Sequence, residues 1–374
     1  MSSQTRSRAG SGAGSGPGAV SRLPSFGDRS PVSRALRGYL VRASLTLFAV
    51  MLLTAFLLPL FSMVTLALQD AGQRTTPGAP WYPASPARGT YQGEQFEIYE
   101  VPINGGVREL LLVKKGRQQS TFVDPADASQ TPIVWQGSWR TLQQSWVFDP
   151  KFTNFSTIWE DLDFPKLLFN TAAVAGLSTL GAVLSAALVA YGFARFRFPG
   201  KNIFFVILIA TIILPFQVTL IPTYAIFTKL GWNGTWLPLI VPHFFANAFN
   251  VFLLRQYFLT IPRDLDEAAM IDGASPFRVL RTIILPMSVP AISAVALFHF
   301  FFSWNDFFLP LLYLSGKPEL QTLPIAIQQY NALYVSQPTL IQAAALMTMV
   351  VPVAVFFLAQ RSFMRGVVVT GVEK

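Results

Sequence analysis

Residues 168–194 read LFNTAAVAGLSTLGAVLSAALVAYGFA. No side chain in this stretch carries a charge, and as a helix rising 1.5 Å per residue it is long enough to cross roughly 30 Å of hydrocarbon. Small residues recur inside it as Ser178, Ala182, Ala186, Ala190 and Ala194. Four-residue spacing puts them on one helical face, a smooth ridge against which another helix can pack closely. The ridge fits static packing or a sliding interface, and static packing is the preferred reading.

The rest of the chain has the same character. Of 374 residues, 52% are hydrophobic and only 13% are charged, about half the roughly 25% of a soluble domain. The mean hydropathy is +0.44. Five further apolar runs are each near the length of a span: Tyr39–Leu68, Ile203–Phe227, Leu237–Tyr257, Ser288–Leu312 and Leu340–Gln360. The first is too long for a signal-peptide core and has no convincing cleavage site after it. The expected fold is an all-α polytopic membrane protein of six transmembrane helices, with a small β-rich external insert between helices 1 and 2. Several runs contain or adjoin proline (Pro59, Pro215, Pro222, Pro242, Pro290, Pro310 and Pro352). These fit kinked helices around a cavity or simple bundle packing.

Charge distribution supplies the orientation. With both termini inside, the cytoplasmic segments hold Arg34, Arg37, Arg42, Arg195, Arg197, Lys201, Arg255, Arg263, Arg278, Arg281, Arg361 and Arg365, whereas the two short outer loops hold only Lys229 and Lys317. The expected organisation follows. Residues 1–35 form a disordered basic tail, 36–68 the first span, and 69–165 the external, periplasmic insert. Residues 166–360 form the core of spans 2–6, with a cytoplasmic loop at 260–282, and 361–374 a cytoplasmic tail. Within the insert, two β-type runs flank Asn104-Gly105, which reads as a hairpin turn. Trp135, Trp139 and Trp146 follow.

Composition also excludes. The chain has no cysteine and two histidines, His243 and His299, so thiol redox centres, disulfides and Cys/His zinc sites fall away. The two histidines are expected near opposite halves of the bilayer, as packing residues, and no metal or cofactor is expected. The net charge of +9 fits contact with anionic membrane lipid rather than nucleic acid. No G-x-x-x-x-G-K-[ST] loop is present, so any ATP hydrolysis belongs to a partner.

The loop after the fourth run reads IPRDLDEAAMIDGASPFRVLRTIILP over residues 261–286. Asp264 and Glu267 have capping-box spacing, predicting a short helix from Leu265. Gly273 supplies a position after its end where positive φ costs little. Ser275 and Pro276 make an N-cap and N1 pair opening a second helix, with Phe277, Leu280 and Ile284 on one face. Glu267-Ala268-Ala269, Gly273, and then Ile283-x-Leu285-Pro286 resemble the EAA loop of binding-protein-dependent ABC importer permeases. The stretches FDPKFTNF at 148–155, WNDFFLPLL at 304–312, LQTLPIAIQQY at 320–330 and QRSFMRGVVVTGV at 360–372 are similar to the carbohydrate branch of that family, related to the maltose permease subunit MalG. The likeness covers about residues 145–374 and the first span. It leaves out the N-terminal tail and most of the insert, and the ending Val372-Glu373-Lys374 departs from the family pattern.

The resemblance implies a transport subunit in the inner membrane, without enzymatic activity of its own. It implies a coupling helix, carried by Glu267, Ala268, Ala269, Asp272, Gly273 and Pro286, that docks in a groove of a cytoplasmic ABC ATPase dimer. The implied partners are that ATPase, a second, MalF-like permease subunit and an external solute-binding protein; the implied cargo is a sugar-like solute. Polar residues expected inside the membrane are Gln217, His243, Asn247, Asn250, His299, Asn305, Asp306 and Gln342. Gln217, Asn247, Asn305 and Asp306 are candidates for the solute path. For Asp306 a structural hydrogen bond is the preferred reading. The alternatives are a stand-alone secondary transporter or channel, and a membrane enzyme or sensor using carboxylates of the insert. The first lacks a midplane acid and an internal repeat; the second lacks an identifiable nucleophile and base.

Overall fold

Backbone polar groups in lipid must find partners within the chain, and the described residues are accordingly mostly helical. The computed structural model describes residues 31–369 apart from 104, 128–130 and 332–336. The expected tail over residues 1–30 and the last five residues lie outside that set. The chain divides into two compact units, one ending at Pro59 and the other beginning at Leu60.

Helix α1 spans Pro31–Ala67, so residues 31–35, expected in the tail, are helical. Proline suits a first turn because its missing N–H has no intrahelical partner there. In the first unit, the large apolar side chains from Tyr39 to Leu58 are exposed, a surface that lipid would cover.

The second unit opens with the β-rich insert. Strands β1 (Ala84–Pro86) and β8 (Trp146–Phe148) pair antiparallel. Between them lie β2 (Arg88–Tyr91), β3 (Glu94–Ile103), β4 (Gly106–Lys114), β5 (Gln119–Val123), β6 (Pro132–Gln136) and β7 (Gln143–Gln144). Strands β2 to β6 follow one another in a sheet, with β7 beside β3. The expected hairpin is present: Ile103 pairs with Gly106, and Gly105 has φ 80°. Period-2 alternation turns Tyr99, Val101, Leu110 and Leu112 into one apolar layer with Phe122. A Cβ at Gly89 would meet Leu111 Cδ2 at 2.7 Å, so any larger residue there would displace the end of that leucine.

Helix α2 (Thr153–Asp161) leads into α3 (Phe164–Arg195). The small-residue ridge of α3 is fully buried from Ser178 to Ala194. Ala186, Ala190 and Ala194 share one core with Val251, Leu254 and Phe258 of α7 (Ala248–Thr260) and Val295 of α11 (Val289–Trp304). Ser178 and Ser303 bridge α3 to α11 through their hydroxyls at 2.8 Å. The chain ends in α14 (Pro338–Val369), so residues 361–369, expected in the tail, continue the last helix.

Four helices among the described residues are long and apolar enough to cross a membrane, or six if each of two bent pairs is one span. The sharp bends are one of the outcomes that the prolines of the runs allow. The third run divides into α4 (Lys201–Ala210) and α5 (Phe216–Lys229), which with the intervening 3-10 turn bend by 98°. Pro215 removes an amide there and holds Leu214 extended, at ψ 118°. The fourth run breaks between α6 (Leu237–Ile240) and α7 through a 3-10 turn containing Pro242. The fifth run, expected to reach Leu312, stops at Trp304 and resumes as α12 (Phe308–Tyr313).

That early stop also corrects the placement of the histidines. His299 lies close to the end of α11 rather than deep in a longer helix, and the break around Pro242 brings His243 to it. Their ring centroids are 4.6 Å apart, not in opposite halves of the bilayer.

Candidate functional site

The segment between α7 and α11 is built from short helices with explicit start and stop signals. Helix α8 covers Asp264–Ile271. It starts one residue earlier than the capping-box spacing predicts, and no side chain caps it. Arg263 already has helical angles, φ −70° and ψ −24°, so its carbonyl accepts the amides of Asp266 and Glu267. The first-turn acids Asp264, Asp266 and Glu267 instead face the positive end of the helix dipole.

The stop signal is as expected. Gly273 adopts φ 81°; its N–H donates to the Met270 carbonyl at 3.0 Å, and the Ala274 N–H to that of Ala269 at 2.9 Å. This paired closure satisfies carbonyls that the helix end leaves free. Ser275 Oγ then accepts the Arg278 N–H at 3.3 Å, and Pro276 opens α9 (Pro276–Val279). A π-helical turn over Leu280–Ile284 and α10 (Leu285–Met287) continue to Ser288, where the chain bends by 79° into α11. The buried face is Val279, Leu280 and Ile284. Phe277, expected on it, is exposed, because only a single α turn precedes the wider π turn.

Side chains tie this loop to the end of α3. Arg195 Nε lies 2.8 Å from Asp266 Oδ2, with both side chains largely buried. The approach is close but off the N–H axis, since Nε makes no aligned hydrogen bond, so charge rather than directional bonding joins the pair. Arg195 also donates to the Ile261 carbonyl at 3.0 Å, Arg263 to that of Ala194 at 3.3 Å, and Tyr191 Oη to that of Pro276 at 2.9 Å. Burial holds the Asp266 carboxyl above its ordinary pKa, while Arg195 and Arg263 pull it back. Sequence reading did not single out Asp266 and missed this pair. Its one signal was helical spacing: Asp266 lies a turn before the half-buried Ala269, while Glu267 and Ala268 are exposed.

With Asp266 turned inward, α8 presents Glu267, Ala268 and Asp272 outward together with Gly273. Around them stand apolar side chains that sequence reading did not assign to this surface: Leu265, Met270, Ile271 at 86% exposure and Phe277 at 67%. Ala269 is half-buried and Pro286 is exposed farther along the segment.

The four solute-path candidates are not brought into one constellation. Asn247 caps α7, its Oδ1 accepting from Phe249 and Asn250 amides at 3.0 and 3.2 Å. Asn305 Nδ2 donates to the Phe301 carbonyl at 2.8 Å. Asp306 Oδ1 accepts the Leu309 N–H at 3.2 Å in the opening turn of α12. Gln217 is exposed at the start of α5; the Phe216–Phe308 ring contact, 6.1 Å between centroids, brings the starts of α5 and α12 together. Asn250 and His299 face each other at 3.4 Å.

Apolar helices, four of them long enough to cross a membrane and six if each bent pair is one span, mark the described residues as those of a membrane-embedded chain. Residues 164–368 match the family described as the inner membrane component of binding-protein-dependent transport systems, and the chain belongs to that family. It is a permease subunit of an ABC importer rather than an enzyme, which displaces the stand-alone transporter reading. An osmoprotective compounds uptake permease protein, GgtD of Synechocystis sp., is 31% identical over 64% of this chain and 80% of its own length. An sn-glycerol-3-phosphate transport system permease protein, UgpE of Rhizobium meliloti, is 37% identical over 55% of this chain and 73% of its own. A solved chain from a bacterial ABC transporter involved in import of the acidic polysaccharide alginate shares the fold. It has a TM-score of 0.59 at 18% identity, covering 90% of this chain and all of that one.

Proposed function

We propose that the α8 segment is the coupling element of this permease, and that it seats in the ATPase with Glu267, Ala268, Ala269, Asp272 and Gly273 at the contact. The observation that supports this most directly is the combination of an outward α8 face with a loop fixed to α3 through Arg195 and Asp266. A push on α8 then moves the end of a membrane helix instead of dissipating in a mobile loop. Pro286 works at the junction with α11, where the direction of the chain changes.

The solute is a sugar or a related polyhydroxylated compound, in keeping with what the names of the relatives state for them. It is handed over by an external binding protein and passes between this chain and a second permease. Both termini and the α8 loop lie on the cytoplasmic side, and the insert lies outside. All six runs cross the membrane, the bent pairs included.

The natural chain has no cysteine, so a single Ile271→Cys variant gives a clean cross-linking test. In the assembled transporter it should cross-link to the ATPase and to no other subunit. A Cys at Gly106 should be labelled from outside intact cells. Absence of ATPase cross-links in a complex that still hydrolyses ATP would remove the coupling assignment.

A further inference from the structure

The insert contains a cleft of about 480 Å³ that shares no residue with the α8 segment. One wall is the segment from Asp70 to Pro77. The other is built from Arg88 on β2, Glu97 and Tyr99 on β3, Lys115 just past β4, and Trp139 and Arg140 in the 3-10 turn before β7. The volume falls within the roughly 300–1,000 Å³ of small-molecule sites. No charged pair closes the cleft: among the described residues Arg88 and Arg140 form no ion pair, and Lys115 approaches Glu97 only at 3.9 Å.

Cations therefore outnumber acids on the lining, and Glu97 already accepts the Tyr99 hydroxyl at 3.1 Å. Burial and the Glu97 carboxylate push the Tyr99 phenol above its ordinary pKa, so it stays a protonated donor. Lys115 Nζ sits 5.1 Å and Arg140 Cζ 5.5 Å from the Trp139 ring centroid, which keeps two cations over an amphipathic platform. Trp146 also borders the cleft, and its buried Nε1 has no hydrogen-bond partner among the described residues. Over the whole lining three cations, Arg88, Lys115 and Arg140, stand against two acids, Asp70 and Glu97. A ligand rich in acceptor oxygens and carrying negative charge supplies what the lining lacks.

We propose that this cleft binds an anionic saccharide, a sugar carrying a carboxylate or a phosphate. Arg88 and Arg140 hold the acidic group from two sides, and the edge of the Trp139 ring and the Thr75–Thr76 turn border the hydroxylated ring. The site lies wholly within the insert and does not rest on the coupling role of α8.

The test is calorimetric titration of the full-length permease in detergent with digalacturonate, glucose 6-phosphate and uncharged maltose. At least one of the two anions should bind saturably and more tightly than maltose, and which of them binds identifies the acidic group. An Arg88→Gln/Arg140→Gln double variant, altered only at exposed cations, should weaken that anion about tenfold or more. A Lys229→Gln control, away from the cleft, should leave it unchanged, and gel filtration of all variants should match the wild type. Trp139→Phe should reduce the ligand-dependent change in tryptophan fluorescence, leaving the part that comes from Trp146. Failure of both anions to bind, binding of maltose as tight as theirs, or binding unaltered in the double variant would overturn the site without touching ATPase coupling.

Discussion

Arg195, the last residue of α3, sets its Nε 2.8 Å from Oδ2 of Asp266 on α8, with both side chains largely withdrawn from water. Such a pair gives little net stability, because desolvation offsets attraction, but removing one partner strands the other. Asp266→Leu or Arg195→Met should each destabilise the loop by about 3–5 kcal/mol. The paired variant Arg195→Met/Asp266→Leu should recover most of that loss, because no buried charge remains. Thermal unfolding of the four proteins, read as a double-mutant cycle, checks this. Additive losses would mean that the two residues act separately.

The pH dependence follows from the direction of the Asp266 shift. Burial raises its pKa in the folded protein above the ordinary 3.8, so the folded state holds the proton more tightly than the unfolded chain. The stabilisation is fully present below that ordinary value and is lost as pH rises through the folded pKa. Asp266→Asn removes the titration. The stability of the variant minus that of the wild type should therefore grow as pH is raised from the acidic side towards neutrality, measured by thermal melts in one detergent. A difference that shrinks with rising pH would mean that Arg195, not burial, controls this carboxyl.

Gly273 ends α8 with φ 81°, and nothing stands within 4 Å of where its Cβ would be. Only backbone strain therefore penalises a side chain. Gly273→Val should cost about 1–2 kcal/mol and lower solute-stimulated ATP hydrolysis in reconstituted membranes without preventing insertion. Gly273→Asn should be milder, since asparagine tolerates left-handed angles. Equal behaviour of the two variants would point away from φ as the cause.

The contrast between Gly273 and Asp266 shows what sequence alone conveys. Gly273, Ser275 and Pro276 act on neighbouring backbone, so their role is written locally and the structure follows it. Asp266 finds its partner on a helix far away in sequence, and nothing in the residues beside it points to Arg195. The histidine pair was misplaced because α11 was extended through Asn305 and Asp306. Those polar residues bond to the backbone and end the helix at Trp304. Apolar runs revealed the helices and Pro215 marked the break at Leu214, but hydropathy does not give the angle of that bend or of the one at Ser288.

Asp306 offers a direct test of helix-end chemistry against solute contact. Its Oδ1 accepts the Leu309 N–H, and asparagine can do the same. Asp306→Asn should therefore retain uptake close to wild type, whereas Asp306→Ala should lose about 1 kcal/mol of stability, as for other lost cap acceptors. Complete loss of uptake in Asp306→Asn, with normal assembly and ATPase stimulation, would put the charge on the solute path.

Ile271 is the most exposed large side chain of α8, at 86%. A free-standing subunit gains nothing from it, since burial on folding is almost nil. In a groove of the ATPase it would bury most of an isoleucine surface, a gain of roughly 1.5–3 kcal/mol on fully burying such a side chain. Ile271→Asp should therefore leave the melting temperature of the isolated permease unchanged. In the assembled transporter it should forfeit that burial and bring a carboxylate against an apolar contact, weakening ATPase association about tenfold or more. Co-purification of the ATPase with the variant, titrated against wild-type permease, measures the difference. Normal association would mean that α8 docks through its Glu267 side alone, with Ile271 left in solvent or lipid headgroups.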